Sequence, residues 1–423
     1  MKAMKLNELK DKKILIFGFG REGQDTFKFL RKLFPRKRIG IADRSDEIKK
    51  PDRNTVLHLG KNYLKALEKY DAVIKSPGIP FKILPRSAAK KIITQTEIFF
   101  NNCQGQIVGV TGTKGKSTTA ALIYRILKDG KVKTYLAGNI GKPVLNLLFS
   151  DKPKNVYVYE LSSHQLYNLR KSPHVAVFLN VYPEHLDYYK SFREYANAKA
   201  NICRWQTEDD YLIYNSQDKI VKNIAKKSKA KKIQIKGEYY ELDEAAARAA
   251  ARIFKIPGRT IDKSVKRFRH LPHRLELVGT FRGITFYNDA LATIPEATIS
   301  AINRLGDKAE TIILGGFDRN IDFKKLAERV LSSKIKTMIF FPTTGEKIWR
   351  TIVRQNNKGK REFNRFFVNS MEEAIKLAYQ YTGKGKICLL STASASFGIF
   401  KDYKEKGDLF KKYARKYGYG KKI

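Results

Sequence analysis

The stretch VTGTKGKSTTAALIYRIL, Val110 to Leu127, decides how the rest of the chain is read. An apolar run, QIVGV, breaks into a turn rich in glycine and hydroxyl groups and resumes as an apolar pattern of helical spacing. A strand that stops in Thr-Gly-Thr-Lys-Gly-Lys-Ser-Thr and restarts as a helix turns backbone N–H groups and the positive end of the helix dipole toward an anion. Gly112, Thr113 and Gly115 form the cradle, Lys116 adds a mobile cation for the outer phosphates, and Ser117 or Thr118 adds a hydroxyl for Mg2+. A turn required only for packing explains the glycines but neither the lysine nor the hydroxyls. The usual spelling, G-x-x-x-x-G-K-[ST], needs glycine where Val110 stands, so this phosphate loop has a variant form.

Outward from this stretch the same alternation continues. Upstream, KILIFGFG, RIGIAD and DAVIKSPGI read as strands and REGQDTFKFLRKLF as a helix; downstream, NVYVYEL, HVAVFLNV and DYLIY read as strands and ELDEAAARAAARIF as a helix. Past LPHR, the segment RLELVGTFRGITFYND reads as a hairpin turning near Arg282-Gly283, and TIILGG, KTMIFF and KICLLS follow as strands between helices. The expectation is an α/β protein of three domains, each with a mainly parallel sheet. These are a Rossmann-like N-terminal domain over residues 1–98, a central mononucleotide-binding ATPase domain over 99–270 and a Rossmann-like C-terminal domain over 271–423. A chain of 423 residues is too long for one ordinary core, which agrees with that division.

Composition narrows the class. Apolar residues make up 42%, enough to exclude a disordered chain. Lys and Arg number 84 against 41 acids, and the resulting net charge of +43 would attract any polyanion. The densest basic run, KNIAKKSKAKK from Lys222 to Lys232, has no interleaved aromatics to stack on bases, so nucleic acid is not an expected partner. Cys103, Cys203 and Cys388 lie far apart and form no C-x-x-C pair, which favours a reducing compartment. The charged start MKAMKLNELKDKK contains no apolar signal core, and no run approaches the roughly 18 apolar residues of a membrane helix. A cytoplasmic location is expected.

Three further signals carry chemistry. GFGREG, Gly18 to Gly23, resembles a dinucleotide fingerprint, with Asp43 placed about 20 residues on, where a ribose-binding acid sits; alone it is weak, because many α/β turns need small residues. Glu160 ends the strand in VYVYELSSHQL and His185 follows the strand in FLNVYPEHLD. An acid and an imidazole at the carboxyl ends of neighbouring strands lie where open α/β sheets bind ligands, and they suit a metal bridging to phosphate. Lys199, in the helical SFREYANAKANI, carries no local signal of its own.

Taken together, these residues resemble the Mur ligase family, and within it the glutamate-adding branch. The resemblance runs the full length in order: GFGREG, IADRS and KSPGIP; then GVTGTKGKST, AGNIG, ELSSHQL, NVYPEHLD and NAKANI; then LPHRLE, YNDALAT, LGGFDRN and LLSTASASFGIFKDYKEKG. It implies a monomeric, ATP-dependent amide ligase of peptidoglycan synthesis that adds glutamate to UDP-N-acetylmuramoyl-L-alanine. The first domain would hold the UDP moiety, the second ATP and the third the amino acid, with domain closure uniting them.

The resemblance also implies roles. Lys116 and Arg274 would neutralise the transferred phosphoryl group; Ser117 or Thr118 with Glu160 would hold one Mg2+, and His185 with a carbamate on Lys199 a second. Asp289 and His273 would act around the nucleotide and the hinge. Arg21, Asp43, Arg44 and Ser45 would lie near uridine and pyrophosphate, Asn139 and Ser162 near the muramoyl-alanine part, and Thr293, Arg319, Ser396, Phe397 and Tyr403 around glutamate. Two departures stand out. Leu291 replaces the lysine of the family's D-S-K-A-T, which leaves open D-glutamate, L-glutamate or another amino acid. Tyr240 and Asp243 replace family asparagines on the adenine side, which leaves nucleotide preference open. The competing class is a basic ATP-driven nucleic-acid protein, which has no use for LPHR or for the ELSS and HLD pair; salt-sensitive retention on DNA that stimulates ATP turnover would mark it.

Overall fold

The protein is described by a computed structural model over residues 5–420, apart from 139, 142, 186–187, 238, 269–270, 320 and 357–360. The first sheet contains β1 (Ile14–Phe17), β2 (Ile39–Asp43), β3 (Thr55–Leu59), β4 (Ala72–Lys75) and β5 (Ile92–Thr94). Its order is β3-β2-β1-β4-β5 and every neighbouring pair is parallel. The second contains β6 (Gln106–Thr111), β7 (Thr134–Gly138), β8 (Val156–Glu160), β9 (Val175–Phe178), β10 (Tyr211–Asn215) and β11 (Lys231–Ile235), in the order β11-β10-β9-β6-β8-β7, again all parallel. The third contains β12 (Glu276–Phe281), β13 (Ile284–Asn288), β14 (Ala309–Gly315), β15 (Thr337–Phe341), β16 (Asn364–Phe367) and β17 (Ile387–Leu390), in the order β12-β13-β17-β14-β15-β16. Among the described strands of this sheet, only the β12–β13 hairpin is antiparallel.

The apolar runs of the sequence become strands buried on both faces, as parallel sheets covered by helices require: β1, β4, β8, β9, β14, β15 and β17 are buried at every position. Short or half-exposed strands were harder to read. β3 and β5 lack a continuous apolar run, and β11 and the helix Lys219–Lys226 absorb the lysine-rich run. Asp218 caps that helix through the N–H groups of Ile220 and Val221. The basic run is therefore the exposed side of ordinary secondary structure.

Two compact units divide the chain, Met1–Phe268 and Arg269–Ile423. Within the first, one apolar cluster runs from Ile14 and Phe29 through Phe99 and Phe100 to Tyr157, Tyr159 and Phe178, so the first two sheets share a core. The helix Gln95–Asn102 joins them: Phe99 meets the rings of Tyr157 and Tyr159 edge-on, and the Thr96 and Tyr159 hydroxyls are 3.1 Å apart.

Sheet order also locates the crevices. In the first sheet the chain order reverses between β1 and β4, and in the second around β6, flanked by β8 and β9. Ligands of open α/β sheets bind at such reversals, beyond the carboxyl ends of the strands. Gly18 follows β1 in a left-handed conformation (φ +91°), and Gly23, in the first turn of the helix Arg21–Leu33, packs directly on it. A methyl group on Gly23 would lie 2.0 Å from the Gly18 carbonyl oxygen, backbone that cannot withdraw.

The second unit buries a charged group. The Lys406 side chain is enclosed, and its amine donates to the Thr392 hydroxyl at 2.6 Å. Burial pulls it from the ordinary 10.5 down to about 7, with Asp289 opposing in part.

Gly23→Ala should therefore destabilise the protein by about 1–3 kcal/mol or more through backbone overpacking, read as a lower urea midpoint. A midpoint unchanged from wild type would show that the turn relaxes freely. For Lys406, the folded protein releases its proton near pH 7 whereas the unfolded chain keeps it up to 10.5, so this group makes stability rise with pH across that window. The stability of Lys406→Met relative to wild type should be greatest near pH 7 and decline toward pH 10; thermal unfolding at a series of pH values measures it, and a constant difference would contradict the burial cost.

Candidate active site

The turn after β6 is fixed from several sides. Gly115 caps the helix Lys116–Asp129 with φ +86°, and a side chain there would meet the Asp243 carboxylate at 2.3 Å, so both conformation and space demand glycine. Asn180, just beyond β9, holds Lys114 at both backbone ends: its Oδ1 accepts from Lys114 N at 2.8 Å and its Nδ2 donates to Lys114 O at 3.2 Å. Thr113 N donates to Asn180 O at 2.9 Å, and the Thr113 hydroxyl lies 3.0 Å from that of Tyr195. Asp243 accepts from the Thr119 hydroxyl at 2.8 Å, which places this departure from the family pattern beneath the phosphate loop.

Several of the sequence-selected residues converge here. The Lys116 amine donates to the carbonyls of Gly112 and Thr113, both at 3.0 Å, and the Lys199 amine donates to the same Gly112 oxygen at 2.8 Å. Ser117 donates to Glu160 Oε1 at 3.0 Å, whereas Thr118 is buried in the helix packing. The second oxygen of Glu160 is buried without a hydrogen-bond partner among the described residues. A desolvated carboxylate oxygen left unpaired is costly, and a hydroxyl and carboxylate side by side at a phosphate loop form a donor set for Mg2+. No group of three or more His, Cys, Asp and Glu side chains capable of holding a metal occurs among the described residues.

Lys199 is fully buried, and burial together with the nearby Lys116 ammonium holds it well below the usual lysine range. Its amine also lies 4.9 Å from the centre of the Tyr195 ring. His185, with φ +58°, is half exposed; its ring faces His164 at 5.0 Å and Tyr195 at 6.2 Å, and its Nε2 lies 3.8 Å from Glu184. Glu184 in turn pairs with Lys114 at 2.7 Å.

At the first sheet, Asp43 fixes the glycine turn: Oδ2 accepts from Phe19 N at 2.6 Å and Oδ1 from Ser45 N at 2.9 Å. Arg21, Arg44 and Ser45 are exposed around it. Ser162 uses its hydroxyl as the cap of the helix Ser163–Leu166. Gln165 of that helix donates to Glu22 at 2.9 Å, joining ELSSHQL to GFGREG. Tyr188 donates to the carbonyls of Pro77 and Ile79, both at 3.0 Å, forming a second tie between the two sheets. Asn139 lies outside the described residues.

In the second unit, Asp289 follows β13 and accepts from Leu275 N at 3.0 Å and from the Ser391 hydroxyl at 2.9 Å. The preceding LPHR turn is held by His273, at φ +65°, whose N–H donates to Glu276 and whose carbonyl accepts from Leu291 N. Gly407, on the helix Tyr403–Tyr419, lies so close to the His273 ring that an added Cβ would sit 2.1 Å from Nδ1, and Tyr403 meets the same ring edge-on. Arg274, half buried, extends from this turn. The guanidinium of Arg319 lies 5.8 Å from the Phe397 ring, and Phe317 and Phe397 are both about half exposed. The Ser396 hydroxyl is buried without a partner among the described residues, and Thr293 is partly buried beyond β13.

Sequence reasoning did not select Lys114, Asn180, Glu184, Tyr195 or Lys406. Lys406 supplies the Asp289 cluster with an amine from another element, on the same unit that has Leu291 in place of the family lysine. The PEHLD motif contained a signal for Glu184, since the acid precedes the selected histidine. Asn180 opens the NVYPEHLD stretch but was not singled out in it, and nothing in the local sequence marks Tyr195; the importance of both comes from tertiary contacts.

The chain is similar to known proteins over nearly its whole length. Residues 110–293 match the Mur ligase middle domain, and residues 273–394 match the Mur ligase, glutamate ligase domain. The UDP-N-acetylmuramoylalanine--D-glutamate ligase of Acetivibrio thermocellus is 34% identical, over 96% of this chain and 98% of its own. The enzyme of that name from Caldanaerobacter subterraneus subsp. tengcongensis is 30% identical over the same shares. Among solved structures, the MurF ligase of Thermotoga maritima in complex with ADP aligns with a TM-score of 0.59 at 17% identity, covering 98% of each chain. The pseudomurein peptide ligase type C of Methanothermus fervidus aligns with a TM-score of 0.55 at 18% identity, over 95% of this chain and all of that one. A phosphate loop at a sheet reversal, a matching sequence over nearly the whole length and a shared fold lead to one conclusion: the chain belongs to the Mur ligase family.

Proposed function

We propose that this protein is a cytoplasmic ATP-dependent ligase that joins D-glutamate to UDP-N-acetylmuramoyl-L-alanine in peptidoglycan precursor synthesis. The observation that carries the reading is the meeting of Lys116 and Lys199 on one carbonyl oxygen beside the unpaired oxygen of Glu160. Two amines and a carboxylate at a phosphate loop suit a metal-bound triphosphate.

The chemistry follows from the weakness of a carboxylate as an electrophile. An oxygen of the alanine carboxylate attacks the γ-phosphorus, the bond to ADP breaks, and an acyl phosphate results. The glutamate amine then adds to the acyl carbon, loses a proton, and expels inorganic phosphate. Phosphoryl transfer requires chiefly positioning and charge neutralisation. Lys116 exchanges its two carbonyl acceptors for phosphate oxygens, and the resemblance assigns Arg274 to neutralising the transferred phosphoryl group. Ser117 and Glu160 would hold one Mg2+, and His185 with a carbamylated Lys199 another; magnesium supplies charge neutralisation when bound. The buried Lys199 amine is suited to carbamylation because a neutral amine is the form that adds to CO2. Around the amino acid, Arg319 and the Ser396 hydroxyl face an acidic side chain, with Phe397 and Tyr403 as walls. D-glutamate is favoured by the names of the relatives, while Leu291 makes stereochemistry the point to test.

Phosphate release from ATP should require UDP-N-acetylmuramoyl-L-alanine and should be fastest with D-glutamate among D-glutamate, L-glutamate and a panel of other amino acids, with product mass confirming ligation. Turnover independent of the UDP-sugar would refute the reading. Lys199→Ala should lower kcat by about 100-fold or more, the scale for removing one group that stabilises a transition state, while thermal unfolding stays cooperative. With 13C-labelled bicarbonate, wild type should give a carbamate carbon resonance that the variant lacks; retained activity in the variant would remove Lys199 from the site.

A further inference from the structure

The mechanism above leaves one ion pair at the phosphate loop unused. Lys114 Nζ lies 2.7 Å from Glu184 Oε1, and each side chain is about one-third exposed, so the pair sits at the surface of the site. Lys114 lies one residue before Gly115, and Asn180 clamps its backbone, which fixes the root of the side chain relative to the anion cradle. Glu184 adjoins His185, and its other oxygen faces the imidazole at 3.8 Å.

The charges around this pair are unequal. Burial opposes ionisation of Glu184, yet Lys114, Lys116 and His185 together hold it below the usual carboxylate range. Lys199 feels Lys116, Glu184, Lys114 and Glu160 in turn. Two carboxylates, Glu184 and Glu160, thus stand among four basic side chains at a cradle suited to a polyanion, and Glu184 is the one paired with the loop lysine. If Glu184 remained paired with Lys114, it would repel incoming phosphate and silence the nearest loop cation.

We propose that Lys114 and Glu184 form an electrostatic latch on the nucleotide site: each neutralises the other in the ligand-free protein, and entry of magnesium-bound triphosphate separates them, Lys114 turning to phosphate and Glu184 to the hydrated metal. This rests on the reading of the loop as an ATP site. Lys114 is then a nucleotide-binding residue, and Glu184 couples metal to nucleotide while positioning the His185 turn. The latch makes metal-free nucleotide a poor ligand, since only a cation entering with the phosphates can replace Lys114 as the partner of Glu184.

The two halves of the pair predict changes of opposite sign. Calorimetric titration of the full chain with ATP, in EDTA and in Mg2+, reads them directly. E184Q should bind metal-free ATP about three- to tenfold more tightly than wild type and gain less from Mg2+, the scale expected for removing one charge at a partly solvated site. K114M should bind metal-free ATP more weakly by a similar factor and keep its full gain from Mg2+. K114Q should repeat K114M, which separates charge from packing, and K114M/E184Q should return to within about twofold of wild type. Both single variants weakening ATP alike, or neither moving it beyond twofold, would overturn the latch and leave the pair a structural tie. Wild type that binds no ATP even with Mg2+ would overturn the nucleotide-site reading itself, and the latch with it.

Discussion

The carbonyl oxygen of Gly112 accepts hydrogen bonds from two lysine amines, Lys116 from the phosphate loop's own helix and Lys199 from the helix Phe192–Arg204. Bringing two amines onto one neutral oxygen in a buried place is unfavourable unless one gives up its proton or an anion arrives. Burial and the proximity of Lys116 push Lys199 toward the first course. Two chemically identical side chains are thus held unequally, and much of the proposed chemistry depends on that difference.

The fold produces this arrangement by putting strand ends where chain order reverses. β6 supplies the loop, β8 ends in Glu160, and Asn180 lies just beyond β9, three adjacent strands of one parallel sheet. The second unit repeats the plan with Asp289 after β13, Ser391 after β17 and the Gly315-Gly316 turn after β14. Parallel strands with buried faces hold these ends rigidly, so flexible loops need contribute little of the positioning.

Much of this was legible in the sequence, for physical reasons that differ by residue. The phosphate loop announces itself because glycine, lysine and hydroxyl must be contiguous there, and the buried strands because they are uniformly apolar. Lys199 had no local signal; a lysine on an amphipathic helix is ordinarily solvated, and only the full-length resemblance selected it. The roles of Asn180, although it opens NVYPEHLD, and of Tyr195 could not be read because their partners lie 66 and 82 residues away in the chain. β3, β5 and β11 escaped because edge or half-exposed strands tolerate polar residues, and in β11 lysines masked the pattern. The Leu291 departure could be read as a missing charge, but the buried amine of Lys406, from the helix Tyr403–Tyr419, could be found only in three dimensions.

The shared core of the first two sheets has a consequence for substrate selection. Because Glu22 grips Gln165 and Tyr188 grips the Pro77 and Ile79 carbonyls across that core, the glycine turn after β1 and the phosphate loop after β6 keep a set separation. Under the proposed function, a molecule anchored at the first by its nucleotide end would reach the second only if its linker had the right span. The block would then work as a caliper: a shorter sugar-acid would leave its carboxylate short of the γ-phosphate, and a longer one would overshoot it.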